Sequence, residues 1–202
     1  MRKGRPREFD VEQALEQALQ VFWRKGYEGT SLPDLTAAMG INRPSLYAAF
    51  GNKEALFRRA VERYVAGPAA FVRQALAEPT ARAVAERLLH GSADLLTRPG
   101  QPPGCLVVQG ALACGKEADP IRQELAARRA AAQTALRKRL QRARTEGDLP
   151  TDADPADLAR YLTAVMHGMA VQAVGGASRA ELRRVAELAL RVWPPDPANP
   201  VA

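Results

Sequence analysis

The side chains best suited to acid–base, nucleophilic or metal chemistry are few and scattered in this sequence. Its only histidines are His90 and His167, and each lies in an apolar stretch with helical spacing. A protein metal site needs clustered His, Cys or carboxylate ligands at fixed spacing, and no such cluster occurs. The sequence also lacks a glycine-rich phosphate loop and a nucleophile elbow. The pattern therefore argues against an enzyme and predicts no bound metal or cofactor.

Cys105 and Cys114 are the only thiols in the sequence. On one continuous helix their Cα atoms would lie about 13 Å apart, beyond the roughly 7 Å limit for a disulfide. We expect small buried packing residues, and a thiol that senses oxidants is the alternative. Because two cysteines imply no disulfide framework, a reducing cytoplasm is the expected location.

A stretch near the N-terminus combines hydrogen-bonding side chains with apolar residues at helical spacing. Ser31 and Asp34 have the spacing of a capping box, and Gly40 supplies the left-handed residue that ends a helix. Asn42 can then cap a second helix, with Pro44 in its first turn. Two helices of about two turns joined by a glycine turn predict a helix-turn-helix, whose second helix enters the major groove of DNA.

Several side chains of this predicted motif have the chemistry to contact DNA. Arg43 is the first choice for a base contact, since its guanidinium matches guanine O6 and N7. Tyr47 is expected on phosphate and Ala48 against a thymine methyl, while Thr30 and Lys53 help to fix the register on the DNA backbone. The predicted DNA-contacting residues are Arg5, Arg7, Thr30, Ser31, Asn42, Arg43, Pro44, Ser45, Tyr47, Ala48 and Lys53.

The charge of the chain is basic, with 29 Lys and Arg against 22 Asp and Glu, a net charge of +7. Four basic residues precede the first acid, Glu8, and predict a mobile arm. The arm either only solubilises the chain or lets Arg5 or Arg7 reach phosphates or the minor groove. The start does not read as a signal peptide, and the apolar stretch 105–113 is shorter than the roughly 20 residues of a membrane span. We therefore expect a soluble, cytoplasmic protein with no membrane partner.

Composition divides the chain near Gly67-Pro68. Eight of the eleven aromatic residues precede this point, and the remainder is rich in Ala, Leu and Val. The division predicts an all-α protein with a helix-turn-helix domain over residues 1–66, an effector-binding and dimerisation domain over 67–193, and an unstructured tail over 194–202. In the second domain we expect a buried central helix over 105–115. A helix of about 40 Å follows over 119–146, with its many arginines on a solvated face.

Three segments around the predicted helix-turn-helix carry a family resemblance. Gly29-Thr30-Ser31, Ala38-Met39-Gly40-Ile41 and residues 46–56 resemble the N-terminal signature of TetR-type (TetR/AcrR) transcriptional repressors. The motif covers about the first third of the chain. The remainder resembles one common branch of that family, with Gly104-Cys105-Leu106 opening a central helix. The resemblance implies DNA binding through the helix-turn-helix and a dimer formed by the last two helices.

The last two predicted helices carry more apolar surface than one helix face needs. Internal core explains part of this surface, and a homodimeric four-helix interface explains the excess. The predicted interface residues are Tyr161, Leu162, Val165, Gly168, Leu182, Val185, Leu188 and Ala189. The predicted walls of an effector pocket, each of which could also be plain core, are Phe71, Leu89, Val108, Gln109, Leu112, Met166, His167, Met169 and Gln172.

These patterns together predict a homodimeric, ligand-responsive transcriptional regulator, most often a repressor. Twofold symmetry dictates a palindromic double-stranded DNA operator with half-sites one helical turn, or multiples of it, apart. The unknown small-molecule effector is expected to be apolar or aromatic, and it shifts the population towards a dimer that no longer matches successive grooves. A thiol-based redox-sensing regulator that uses Cys105 or Cys114 is the runner-up, and an architectural DNA-binding protein without an effector is a third possibility.

Overall fold

The computed structural model describes residues 9–112 and 114–194, and this part of the chain contains helices but no strand. The predicted all-α fold is confirmed. The basic arm with Arg5 and Arg7, and all but the first residue of the predicted tail, lie outside the described residues. The described α-helices are α1 Val11–Lys25, α2 Leu32–Met39, α3 Arg43–Phe50, α4 Lys53–Ala66, α5 Ala70–Ala75, α6 Ala81–Leu96, α7 Leu106–Gln109, α8 Asp119–Thr145, α9 Pro155–Val174 and α10 Arg179–Arg191, with a 3-10 turn Lys116–Ala118 before α8.

Helices α1 to α4 form the N-terminal unit around a core of aromatic side chains. Phe22 of α1 meets Phe57 of α4 edge-to-face, with ring centroids 5.0 Å apart. Trp23 and Tyr64 form a second edge-to-face pair at 4.7 Å between the same two helices. Such pairs add to the stabilisation from apolar burial alone. The two long helices thus provide a fixed base on which α2 and α3 are mounted.

The prediction of a helix over residues 105–115 is wrong, because only one turn, Leu106–Gln109, is helical. The backbone leaves the helix at Gly110, whose carbonyl accepts a hydrogen bond of 2.7 Å from the Tyr27 N–H. Gly26, at the end of α1, adopts a φ of +69°, and a Cβ there would lie only 3.1 Å from the Gly110 oxygen. The helix therefore stops at Gly110, and a close backbone contact with the N-terminal unit takes the place of the next helical hydrogen bond.

Helices α5, α6, α8, α9 and α10 pack around a second apolar core. The first core does not end with α4, since Leu95, Leu106, Ala111, Ile121 and Leu125 from the later part of the chain complete it. The predicted domain boundary at residue 67 follows the end of α4. The packed surface that crosses this point means that a shift of residues 95–125 acts directly on the N-terminal unit.

Helix α8 has 27 residues and α9 has 20, lengths that would suffice for a membrane span if their composition were apolar. Neither these two nor any other described helix is apolar enough over such a length to cross a membrane.

Candidate DNA-binding surface and ligand cavity

Helix α3 is anchored on one side and open to solvent on the other. Leu46 and Phe50 face the N-terminal core and are 0% and 4% exposed. Arg43, Tyr47 and Ala48 are exposed, and Tyr47 keeps 47% of its surface accessible. This outer side of α3 thus combines the cationic Arg43 with the accessible hydroxyl-bearing ring of Tyr47, side chains that are able to contact bases and phosphates.

The turn between α2 and α3 is fixed by Gly40. This residue has φ +65° and ψ +30°, a left-handed conformation that favours glycine. The Ile41 N–H then donates to the Thr36 carbonyl at 3.1 Å. At the start of α3 the Asn42 side chain accepts from the Ser45 N–H at 2.9 Å. These bonds satisfy both helix ends and set the direction in which α3 leaves α2.

The start of α2 is held by the predicted capping box. The Ser31 hydroxyl accepts from the Asp34 N–H at 3.1 Å, and the Asp34 carboxylate accepts from the Ser31 N–H at 2.9 Å. Lys25 at the end of α1 donates to the same carboxylate at 2.6 Å. These hydrogen bonds, the one from Lys25 foremost, hold the pKa of Asp34 well below its usual range. The carboxylate therefore stays charged and ties α2 to α1.

The predicted phosphate contact from the Thr30 side chain is wrong. Thr30 is 1% exposed, and its hydroxyl donates to the Gly26 carbonyl at 2.6 Å. A buried donor that is already satisfied cannot reach the DNA backbone. The side chain instead stabilises the connection between α1 and α2, a role that the sequence spacing Gly26 to Thr30 could have indicated.

Lys53 lies in the first turn of α4, close to the exposed side of the helix-turn-helix. Its ammonium group sits 4.5 Å from the centroid of the Tyr27 ring. Burial lowers the pKa of Lys53, although the nearby Glu28 and Asp34 act in the opposite direction. The aromatic ring thus holds the cation in a defined position beside the N-terminus of α4, where a phosphate would also meet unpaired helix N–H groups.

The segment 104–110, here called the central segment, is bonded to α1 at both of its ends. The Trp23 indole N–H donates to the Gly104 carbonyl at 2.9 Å. The Tyr27 N–H donates to the Gly110 carbonyl at 2.7 Å. Because Trp23 lies on α1 and Tyr27 shortly after it, these two bonds attach both ends of the central segment to the N-terminal unit.

The same segment is bonded to α8 and α9. The Arg129 guanidinium of α8 donates to the Val107 carbonyl at 2.7 Å. The Gln109 amide donates to the Ala170 carbonyl of α9 at 3.1 Å. Gln109 is therefore a structural link and not one of the residues that line the cavity described next, contrary to the sequence prediction.

A cavity of about 430 Å³ lies between the central segment and helices α4 to α6, α8 and α9. Its volume is within the range of small-molecule sites. Of the predicted pocket residues, Phe71, Val108, Met166 and His167 line it. The other predicted residues do not: Leu89 and Met169 are buried in the second core, while Leu112 and Gln172 are exposed to solvent.

Polar groups occupy part of the otherwise apolar wall. Tyr64, Cys105 and Arg129 line the cavity together with His167. Sequence analysis did not assign Tyr64 or Arg129 to it, because helical spacing does not reveal which face of α4 or α8 meets a cavity. Burial lowers the pKa of Arg129, and burial together with Arg129 lowers the pKa of His167. Desolvation raises the pKa of Tyr64 well above its ordinary value.

An exposed apolar face runs along α9 and α10. Val171 and Val174 of α9 are 57% and 55% exposed, Leu188 of α10 is 59% exposed, and Val192, directly after α10, is 69% exposed. Val185 and Gly168 extend the same surface. Several residues predicted for a dimer interface lie elsewhere, because Leu162, Leu182 and Ala189 are buried in the subunit's own core. Tyr161 donates to the Ala189 carbonyl at 3.2 Å, and Val165 is half-buried.

Among the described residues, no group of three or more His, Cys, Asp or Glu side chains is placed to hold a metal ion. Cys105 and Cys114 are half-buried free thiols.

Two family models match the chain. The model described as "Bacterial regulatory proteins, tetR family" matches residues 14–60, and the one described as "Tetracyclin repressor-like, C-terminal domain" matches residues 77–189. The HTH-type transcriptional repressor ComR of Escherichia coli strain K12 is 34% identical over 194 residues, which cover 95% of this chain and 92% of that protein. The uncharacterised HTH-type transcriptional regulator YezE of Bacillus subtilis strain 168 is 36% identical over 79% of this chain and 83% of its own length.

Solved structures agree with these matches. A cysteine mutant of the TetR family regulator CifR, in complex with 26-bp double-strand operator DNA, is 43% identical and superposes with a TM-score of 0.90 over 95% of this chain and 100% of its own. A TetR regulator from Rhodococcus sp. RHA1 is 42% identical, with a TM-score of 0.63 over 90% of this chain and 97% of its own. The chain therefore belongs to the TetR family and is a DNA-binding transcriptional regulator, not an enzyme.

Proposed function

We propose that the protein is a homodimeric, ligand-responsive repressor that places α3 of each subunit in successive major grooves of a palindromic operator. The observation that carries this proposal is the exposed face of α3, which is fixed by Gly40 and anchored by Leu46 and Phe50. The complex of a 43% identical relative with operator DNA supports it. Arg43 supplies the first base contact, and Lys53 supplies a phosphate contact.

The apolar face of α9 and α10 supports the dimer. Exposure of valine and leucine side chains to water is unfavourable. A second copy related by twofold symmetry would cover these residues on both subunits. Gly168 leaves open space where a Cβ would stand, which allows close approach of the partner helix.

The cavity supports the response to a ligand. Its wall includes Val107 and Val108 of the central segment, which is bonded to α1 through Tyr27. A second connection runs from Arg128 at the cavity wall to Glu124 at 3.0 Å, and from Glu124 to Arg58 of α4 at 2.7 Å. A ligand that moves the central segment or α8 would therefore shift α1 and α4, and with them α3. It can do so only by binding the shifted conformation more tightly.

Selection of bound sequences from a random DNA pool tests the function. We expect a palindrome with half-sites about one helical turn, or multiples of it, apart. A single asymmetric half-site would contradict the dimeric arrangement. No enrichment at all would contradict sequence-specific regulation.

A thiol-based response is a second candidate, favoured by the position of Cys105 in the cavity wall. Peroxide titration of operator binding separates the two mechanisms. Loss of binding that Cys105→Ser prevents, with Cys114→Ser as the matched control, would support the redox response. Unchanged operator binding in peroxide would exclude it.

A further inference from the structure

We propose that the cavity takes a small amphipathic anion, with a carboxylate held by Arg129 and the Tyr64 hydroxyl and an apolar body along the remaining wall. This inference rests on the proposed ligand response and names the class of ligand. It adds an anionic group to the apolar or aromatic effector expected from sequence alone.

The charges around the cavity are all of one sign. Arg73, Arg128 and Arg129 line it, whereas none of the described residues that line it is an Asp or Glu. Arg73 is exposed to solvent, and Arg128 is neutralised by Glu124 at 3.0 Å. Arg129 is different, because it is half-buried and forms no ion pair with any described residue.

The contacts of Arg129 leave most of its hydrogen-bonding capacity unused. One guanidinium nitrogen donates to the Val107 carbonyl at 2.7 Å, and no other acceptor within the described part of the chain is bonded to it. Removing a cation partly from water without a counter-charge is unfavourable. A carboxylate matches the planar donor geometry of the guanidinium and would supply that counter-charge.

Tyr64 provides a second donor at the same wall. The side chain is 0% exposed and lines the cavity, yet its hydroxyl has no hydrogen-bond partner of normal geometry among the described residues. Cys105 and Arg129 line the same cavity as Tyr64, and the closest polar neighbours of the Tyr64 hydroxyl are the Cys105 thiol and the Leu106 backbone. A buried hydroxyl without a partner is uncommon in folded proteins, and a ligand oxygen would satisfy it.

The rest of the wall fits an apolar ligand body. Phe71, Leu88, Leu95, Val108 and Met166 surround the space with aromatic and aliphatic groups. Burial and the nearby Arg129 lower the pKa of His167, which favours the neutral form of its ring. The described wall therefore combines a half-buried guanidinium that forms no ion pair, that of Arg129, and the buried Tyr64 hydroxyl with apolar surface. This arrangement selects an acid over its neutral analogue.

The test uses the full-length protein and two matched pairs of probes, octanoate with octanamide and phenylbutyrate with phenylbutyramide. Isothermal titration calorimetry at pH 7 should give a Kd for each acid that is tighter than that of its amide by about tenfold or more, as expected for a charge-assisted hydrogen bond. Equal affinity for acid and amide, preference for the amide, or no saturable binding of either acid would overturn the proposal.

Two variants test the assigned donors. Arg129→Gln should remove the preference for the acid while amide binding persists, and Arg128→Gln, on the same wall but paired with Glu124, should keep the preference. Tyr64→Phe should weaken acid binding about five- to tenfold and leave amide binding nearly unchanged, because it removes the hydroxyl assigned to the carboxylate and keeps the aromatic ring. Equal loss of acid and amide binding in Arg129→Gln would mean that Arg129 acts only through the Val107 carbonyl, and would overturn its assignment.

Operator binding measured by fluorescence anisotropy separates this inference from the proposed function. Acid binding that does not release the operator would contradict the ligand response but leave the ligand class standing. Release of the operator by the neutral amides alone would support the ligand response but contradict the ligand class.

Discussion

Arg43 and Lys53 both lie near the exposed side of the helix-turn-helix, but their surroundings differ. Arg43 is exposed at the first position of α3. Lys53 is half-buried, with its ammonium group over the Tyr27 ring. A mobile guanidinium at the start of a recognition helix can reach base edges, whereas a cation fixed beside a helix N-terminus suits a phosphate.

Substitution of Arg43 by Ala should weaken operator binding by about 1–3 kcal/mol and relax specificity at one base pair. Binding constants on the selected operator and on random DNA measure the effect. Lys53→Gln is the comparison, since loss of a phosphate contact should weaken both DNAs alike and reduce the salt slope by about 1. If Arg43→Ala weakened operator and random DNA equally, Arg43 would be a phosphate contact.

The titration of His167 reports on the cavity. Burial and Arg129 lower its pKa below 6.5, so the folded protein binds the proton less readily than the unfolded chain. The free energy of unfolding should therefore decrease as the pH falls through about 6.5, and His167→Gln should remove that contribution. A bound carboxylate should raise the pKa again. NMR titration of the ring protons checks both shifts, with His90→Gln leaving a single histidine signal to follow. A His167 pKa at or above 6.5 in the free protein would contradict the described environment.

At the scale of elements, the helix bounds followed from capping chemistry that is local in sequence. Ser31 and Asn42 each accept a backbone N–H at the start of the helix that was predicted to follow them, and Thr80 and Ser178 cap α6 and α10 in the same way. The prediction of a helix over residues 105–115 was wrong for two reasons. The continuous apolar run has no helical period. The helix also ends where Gly110 contacts Tyr27, a residue far away in sequence.

The sequence also could not predict which face of a helix packs against the core of its own subunit. Helix α9 has apolar residues on several sides, and nothing in their spacing separates Leu162, which is 0% exposed, from Val171, which is 57% exposed. The exposed face of α3 was easier to predict, because Leu46 and Phe50 define a single apolar side.

The turn between α2 and α3 tests the importance of the angle between these helices. Gly40→Ala should destabilise the protein by about 1–2 kcal/mol, since alanine resists the left-handed conformation, although no atom within 4 Å would clash. Gly147→Ala, after α8, is the matched control, with φ +81° and equally open space. Thermal unfolding should register both substitutions, whereas operator affinity should decrease only for Gly40→Ala. Equal operator affinity in the two variants would show that the turn does not set the position of α3.

At the scale of the whole molecule, the proposed function depends on two copies of the chain. The surface of Val171, Val174, Leu188 and Val192 has no partner in the described part of one subunit. Complete burial of a Val or Leu side chain contributes about 1.5–3 kcal/mol, so covering the exposed part of each of these residues would contribute a fraction of that, counted twice by twofold symmetry. The same symmetry spaces the two α3 helices, so DNA affinity and subunit association are coupled.

Leu188→Glu should therefore convert the dimer into a folded monomer with much weaker operator binding. In the dimer the introduced carboxylate would lose its water at an apolar contact, which is unfavourable. In the isolated subunit 59% of Leu188 is already exposed, so a carboxylate at this position would remain hydrated. Sedimentation velocity measures the oligomeric state, circular dichroism checks the fold, and anisotropy measures operator affinity. Leu112→Glu is the control, since Leu112 is 53% exposed but lies outside α9 and α10. A Leu188→Glu variant that remained dimeric would place the interface on another surface, and a monomer with full operator affinity would separate DNA recognition from dimerisation.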